Sequence, residues 1–166
     1  MMRYQLPALA DRYELATCAR PNRDPREWDA PRVDNKTKYI SRPARSLHAA
    51  ALCGACPLIS ICAEDALTDR PIGVIRAGVP VTKSRPARWQ MRVWTAVAAG
   101  KDLAAAYAEH ASNDHWDPPK AHEWLSASPA TVEALALPIE SLAWLEAHGL
   151  LGCLSSTDGG ETGGDQ

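Results

Sequence analysis

The chain has 166 residues, a formal net charge of −2 and no phenylalanine. A chain of this length is expected to form one domain, with room for a small second one. No stretch is long and apolar enough to span a membrane, and the amino terminus lacks the apolar run of a secretory signal, so the sequence predicts a cytoplasmic protein.

The charge is distributed unevenly along the chain. Residues 1–88 contain 15 Lys or Arg and 9 Asp or Glu, a balance of +6, whereas residues 89–166 contain 3 and 11, a balance of −8. The pattern predicts a basic domain over 1–88, an acidic helical extension over 89–154 and, from its composition, a disordered tail over 155–166. The two halves are expected to bind different partners, or each other when nucleic acid is absent.

The first predicted elements are a short helix and a proline-rich loop. The helix is predicted over residues 11–18, with Leu15 and Cys18 on one face. Four prolines argue against a helix over 19–45, which is therefore predicted to be a loop that covers the cysteine site. Its large apolar side chain, Trp28, has two interpretations: it packs over that site and excludes water, or it lies on the loop surface.

Three further cysteines belong to two predicted helices and the turn between them. The first helix is expected to begin at Ser46 as its N-cap and to reach Cys53 through an alanine-rich stretch. Pro57 is placed in the first turn of the second helix, whose spacing puts Cys62 on the side of its apolar residues. Gly54 is expected to let the backbone approach a bound group closely.

A glycine-containing turn and a basic segment follow. Residues 71–80 predict a turn between two short strands, with Gly73 and Gly78 in backbone conformations that other residues avoid. Residues 82–92 contain an Arg-Pro segment, which could enter a narrow A·T-rich minor groove. Two interpretations stay open, a DNA-contacting segment and a basic linker without specific contacts. The cations concerned are Lys83, Arg85, Arg88 and Arg92.

The second half of the chain predicts a succession of short helices. Residues 88–111 predict two helices separated at Gly100, with Trp94 on the flank of the first apolar stripe. Asp117 is placed as the N-cap of a further helix, and later prolines start two more. Four leucines are expected to face the interior of this bundle. They are Leu125, Leu135, Leu142 and Leu145.

Four of the five cysteines have the spacing of metal or cluster ligands. Cys53 and Cys56 form a C-x2-C pair, Cys62 follows after five residues, and Cys18 lies upstream. Four thiolates complete either a tetrahedral zinc site or the corners of a 4Fe–4S cluster. Buried free cysteines and a redox disulfide are the alternatives, whereas a secreted disulfide framework would need more cysteines. Cys153 is expected to be a spare thiol.

Three segments resemble the WhiB-like family of actinobacteria and their phages, over about residues 12–88. They read ATC at 16–18, ALCGACPLISICAEDAL at 51–67 and GVIRAGVP at 73–80. The resemblance implies a mainly α, loop-rich domain stapled by a 4Fe–4S cluster, without enzymatic activity. It also implies transcription regulation through region 4 of the principal sigma factor or through DNA, with sensitivity to oxygen or nitric oxide. The implied cluster ligands are Cys18, Cys53, Cys56 and Cys62.

The chain departs from the family pattern after the cysteines. The family usually has G-[VI]-W-G-G, whereas here Ile75 replaces the tryptophan and Arg76-Ala77-Gly78 replaces the glycine pair. In the family the tryptophan helps to pack on the sigma factor, so its replacement weakens the expectation of that partner. The resemblance implies that the turn presents the partner-binding face. The residues concerned are Gly73, Val74, Ile75 and Gly78.

Two further hypotheses complete the sequence analysis. The first is an alternative function, in which the chain is a zinc-stapled protein-interaction module or a dithiol–disulfide protein. The second concerns residues 134–152, which loosely resemble the end of winged helix-turn-helix domains. Because this stretch is acidic and holds no Lys or Arg, it is expected to be a degenerate module that contacts protein instead of DNA.

Overall fold

The computed structural model describes residues 15–21, 23–29, 41–82, 85–126 and 139–150, and this part of the chain is mainly helical, as predicted. A 3₁₀ turn at Thr17–Ala19 and another at Pro25–Trp28 come first. The α-helices described are α1 (Arg42–Cys53), α2 (Ile59–Asp69), α3 (Arg88–Ala98), α4 (Leu103–His110), α5 (Pro118–Ser126) and α6 (Ile139–Ala147). None of the described helices has the length and apolar character needed to cross a membrane.

The start of α1 differs from the prediction. Ser41, not Ser46, is the N-cap, and its hydroxyl accepts a hydrogen bond from the Ala44 backbone N–H at 3.3 Å. Pro43 falls in the first turn, where a missing N–H costs nothing, so it does not delay the helix. Ser46 is buried inside the helix. Upstream, Cys18 lies in a 3₁₀ turn where an α-helix was predicted, and residues 11–14 of that helix lie outside the described residues.

The predicted turn between two short strands is confirmed. Strands β1 (Ile75–Arg76) and β2 (Val79–Pro80) pair antiparallel, and two residues join them. Those residues, Ala77 and Gly78, have φ values of 46° and 75°. A two-residue hairpin loop with both φ values positive matches the right-handed twist of the strands, which explains why glycine stands at one of the two positions.

A shared core joins the cysteine-bearing helices to the helices after residue 88. Helix α2 packs on α3, α3 packs on α4, and α1 packs on α5 and α6. Trp94, placed by the sequence on the flank of its helix, is fully buried, whereas Trp89 is half-buried. The buried face of α3 is rotated toward Trp94 relative to the predicted apolar stripe, because α2 and α4 pack on this helix from two sides. The domain boundary at residue 88 stays a prediction.

Three side chains of α3 and α4 hold the hairpin through hydrogen bonds to its backbone carbonyls. The indole N–H of Trp94 donates to the Arg76 oxygen at 2.9 Å. The Tyr107 hydroxyl donates to the Gly78 oxygen at 2.7 Å. The Gln90 amide donates to the Pro80 oxygen at 2.7 Å. The position of the hairpin therefore depends on helices that the sequence assigns to the acidic half.

Helix α6 packs differently from the prediction. Leu145 is buried as expected, but Leu142 is 41% exposed, so its predicted inward orientation is wrong. Trp144 takes the inward place instead, with its indole against Gly54 in the turn after α1. The Leu125 side chain and Leu135 lie outside the described part, as does the helix predicted at Ser128-Pro129. An exposed ion pair between Arg20 and Glu140 also joins α6 to the Cys18 segment.

His148 is expected to bind a proton more tightly than an isolated histidine. Its Nδ1 lies 2.8 Å from the Trp144 carbonyl oxygen, and its Nε2 lies 2.8 Å from Asp102 Oδ2. Because both neighbours are acceptors, only the doubly protonated ring can donate to both. Burial lowers the pKa of His148, but these two bonds outweigh it and raise the pKa above its usual range. The resulting stabilisation is present below about pH 6.5 and is lost as the pH rises through the raised pKa.

Asp102→Asn separates this charge effect from helix capping. Asp102 Oδ1 accepts the Ala105 backbone N–H at 3.0 Å as the N-cap of α4, and asparagine caps equally well. We therefore expect the variant to fold and the His148 pKa, measured by NMR titration, to fall. A His148 pKa that stays the same in this variant would contradict the proposed pairing.

Candidate functional site: a cavity lined by four thiols

Four cysteine side chains line one cavity of about 410 Å³. Cys18 comes from the first 3₁₀ turn, Cys53 ends α1, Cys56 lies in the following turn, and Cys62 is in α2. All four are free thiols. The structure thus places together the four residues that the sequence singled out as ligands, including the distant Cys18.

The turn between α1 and α2 positions the C-x2-C pair. The Gly54 N–H still donates to the Ala50 oxygen at 2.7 Å, which completes the last turn of α1. The Cys56 N–H then donates to the Cys53 oxygen at 2.9 Å and reverses the chain. The sequence attributed the small size of Gly54 to a bound group, but the space beside its Cα holds the Trp144 indole.

Cys53 is the most buried of the four thiols. Burial raises the pKa of Cys53 to about 12, and the neighbouring thiols of Cys62 and Cys56 add to the rise. The indole N–H of Trp28 and the backbone N–H of Gly78 lie near the thiol and act on its pKa in the opposite direction. Trp28 is only 9% exposed and lines the cavity, so the interpretation that it packs over the cysteine site is confirmed and the surface interpretation is wrong.

Arg76 is a cavity residue that sequence reasoning did not assign to the site. Burial raises the pKa of Cys62, whereas the nearby Ala77 backbone N–H and the Arg76 guanidinium oppose the rise. Burial and the Cys56 thiol raise the pKa of Cys18, and Arg76 again acts in the opposite direction. The sequence offered one signal for this role, a cation where the family has a glycine.

The four thiols share a cavity without converging on one point. Among the described residues, no group of three or more His, Cys, Asp or Glu side chains could hold a single metal ion. A tetrahedral zinc site needs every thiolate within about 2.3 Å of one ion. In a 4Fe–4S cluster each thiolate binds a different iron, so the sulfurs lie further apart.

Two of the four turn residues proposed for partner binding, Val74 and Ile75, line this cavity. Gly73 is exposed with a φ of 74°, and Val74 forms an isolated β-bridge with Asp29. Ile75 is 3% exposed and packs in the same buried cluster as Trp28. Gly78 is buried in the hairpin loop, and its predicted positive φ is confirmed. The hairpin packs on α1 and α2, and its binding of a partner stays a prediction.

The residues proposed for DNA contact are separate from the thiols. Arg85, Arg88 and Arg92 are exposed, and Lys83 lies outside the described residues. Arg88 and Arg92 are four residues apart on α3, so they lie on one face of that helix. Contact of these residues with DNA stays a prediction.

Comparison of the chain with protein-family models, with curated proteins and with solved structures finds no match. The resemblance to the WhiB-like family therefore depends on the cysteine and turn segments of the sequence alone.

Proposed function

We propose that the chain is a WhiB-like, non-enzymatic regulator of transcription that holds a 4Fe–4S cluster on Cys18, Cys53, Cys56 and Cys62. The observation that carries the proposal is the single cavity lined by these four free thiols. Free cysteines that only fill space in the core would not need to bring Cys18 and the distant segment 53–62 to the same cavity.

The size of the cavity is compatible with a cluster. Its volume of about 410 Å³ leaves room for a group larger than a single ion. Four thiolates around one zinc would leave little space between them. A 4Fe–4S cluster supplies one-electron chemistry and would join the 3₁₀ segment, the C-x2-C turn and α2.

The polar groups around the thiols also support a cluster. The N–H groups of Trp28, Gly78 and Ala77 and the Arg76 guanidinium lie near the thiols of Cys53 or Cys62 and oppose the rise in their pKa values. Hydrogen bonds to the ligand sulfurs and nearby charge are the means by which proteins set cluster potentials. Trp28 and Ile75 cover the same cavity with apolar surface and limit access of water.

A dithiol–disulfide function is less well supported. The attacking species in disulfide exchange is the thiolate, and active cysteines have lowered pKa values. Burial instead raises the pKa of Cys53 to about 12, which disfavours this residue as the attacking thiol. The zinc-stapled interaction module remains as the alternative that metal analysis distinguishes.

Cys18 is the ligand through which redox sensitivity would arise. It is the exposed member of the four, whereas Cys53 is buried. Oxygen or nitric oxide would reach the cluster from this side, and loss of the cluster would release the Cys18 segment. Partner binding would then change, either to the sigma factor region 4 or to DNA. Since Ile75 is buried, other side chains of the hairpin would have to meet the sigma factor.

Anaerobic purification tests the cluster directly. We expect a brown protein with about four irons and four sulfides per chain, and Cys18→Ala is expected to lose most of both. Cys153→Ala is the matched control, because this fifth cysteine is expected to be a spare thiol, and it should keep the iron. A colourless wild-type protein that holds one zinc would overturn the cluster and leave the interaction module.

The regulatory role needs a second measurement. The cluster-loaded chain is expected to form a complex with the sigma factor region 4, or with A·T-rich duplex DNA, that is lost after exposure to nitric oxide. A loaded protein that binds neither partner would contradict the role in transcription while leaving the cluster intact.

A further inference from the structure

A second cavity, of about 360 Å³, lies where α1 begins, β2 ends and α3 begins. Cavities of about 300–1,000 Å³ are typical of small-molecule sites. It shares no lining residue with the four-thiol cavity, and none of its described lining residues is acidic. The lining side chains that matter here are Arg42, Arg45, Arg85, Thr82, Trp89 and His115.

One of these arginines lies where a helix disfavours a cation. Arg42 is the first residue of α1, where free backbone N–H groups carry positive partial charge and acidic residues are favoured. Neither α1 nor α3 has an acidic residue in its first turn, and the N-cap of α3, Ala87, lines the same cavity. Proteins depart from such a local preference mainly at functional sites. A bound anion would compensate for this cation.

The arginines approach the cavity from two segments of the chain. Arg42 belongs to α1, and Arg85 belongs to the segment before α3. Both are exposed, and neither forms an ion pair within the described ranges. Guanidinium groups match the oxygens of a phosphate in pairs, so two arginines could hold one phosphate from two sides. The Thr82 hydroxyl at the cavity wall is a further donor.

An aromatic wall adjoins this cationic region. The rings of Trp89 and His115 stack with their centroids 4.6 Å apart and their planes at 26°. Both residues line the cavity and both are half-buried. Flat aromatic side chains beside arginines favour a ligand that has a planar ring as well as a phosphate.

We propose that this cavity binds a small phosphorylated ligand of nucleotide size. Arg42 and Arg85 bind the phosphate, and the planar base lies beside Trp89. The site is distinct from the exposed Arg88 and Arg92, which do not line the cavity, and it does not depend on the cluster.

Calorimetric titration of the full chain at low salt tests the proposal. The probes are AMP, ATP, inorganic phosphate and adenosine, and the variants are Arg42→Ala, Arg85→Ala and the control Arg92→Ala. We expect the nucleotides to bind more tightly than inorganic phosphate, and adenosine to bind weakly. Arg42→Ala and Arg85→Ala are each expected to weaken nucleotide binding by about 10- to 100-fold, whereas Arg92→Ala should leave it unchanged.

Folding of the variants is checked by thermal unfolding. Arg42→Ala should retain or raise the melting temperature, because it removes a cation from the positive end of α1. If neither the nucleotides nor phosphate bind, the proposal is overturned. It is equally overturned if Arg92→Ala weakens binding as much as the other two variants. The same conclusion follows if Arg42→Ala weakens binding of duplex DNA while no nucleotide binds, since the cavity would then hold a strand phosphate.

Discussion

Replacing Trp94 by alanine is expected to lower the free energy of unfolding by about 3–5 kcal/mol. Trp94 is fully buried where α3 meets α2, and its loss leaves a large cavity in the shared core. It also removes the hydrogen bond to the Arg76 carbonyl, which holds the hairpin beside the thiols. Urea denaturation followed by circular dichroism measures the change.

Trp94→Phe separates the two contributions. Phenylalanine fills part of the space but has no N–H, so the Arg76 carbonyl loses its partner at a cost of about 1–3 kcal/mol. We expect the phenylalanine variant to lie between the wild type and the alanine variant in stability. An alanine variant within about 1 kcal/mol of the wild type would show that α3 does not share a core with the cysteine helices.

Gly54→Ala is expected to destabilise the fold by about 1–3 kcal/mol, although the backbone alone would favour alanine. Gly54 has a φ of −59° and a ψ of −34°, which are ordinary helical values. At an open helical position alanine would stabilise by up to about 1 kcal/mol. Here its Cβ would lie 2.2 Å from Trp144 Cε2, so the α6 helix must shift.

A double-mutant cycle with Trp144→Ala isolates this contact. Trp144→Ala removes the ring that the new Cβ would strike, so Gly54→Ala should become neutral or stabilising in that background. Stabilities come from the same urea titrations, and the coupling is expected to be about 1–3 kcal/mol. If Gly54→Ala stabilises the wild-type background as well, α6 does not pack on the C-x2-C turn.

Several local sequence signals predicted local structure correctly, although the N-cap of α1 is Ser41 and not Ser46. Asp117 caps α5, with its Oδ1 3.2 Å from the Lys120 backbone N–H, and the positive φ of Gly78 follows from a two-residue hairpin loop. Gly100, with a φ of 92°, ends α3 as expected. Each of these signals depends on only a few neighbouring residues, and for that reason the sequence alone contains the necessary information.

Long-range packing explains where the sequence was insufficient. Leu142 was expected inside and is exposed, because Trp144 finds a place beside Gly54 that helical periodicity does not reveal. Trp94 was placed on a flank because its helix was considered without the two helices that cover it. The spacing of the four cysteines was enough to group them. Arg76 reaches their cavity only because the hairpin packs against α1 and α2, which the sequence does not show.

We expect the segment that carries Cys18 to unfold locally while the helices stay folded. Residues 15–21 and 23–29 contain two 3₁₀ turns. They are attached through the Asp29–Val74 bridge, the exposed Arg20–Glu140 pair and a few buried side chains, Ala16, Thr17 and Trp28. Exposed ion pairs stabilise little and the segment has no α-helix in the described part, so we expect it to open at a lower free energy than the helices. We expect the backbone amides of the Cys18 segment to exchange with solvent through sub-global opening, whereas the amides of α1 exchange only on global unfolding. Cys18 can therefore separate from the other three thiols without melting the helices that carry them.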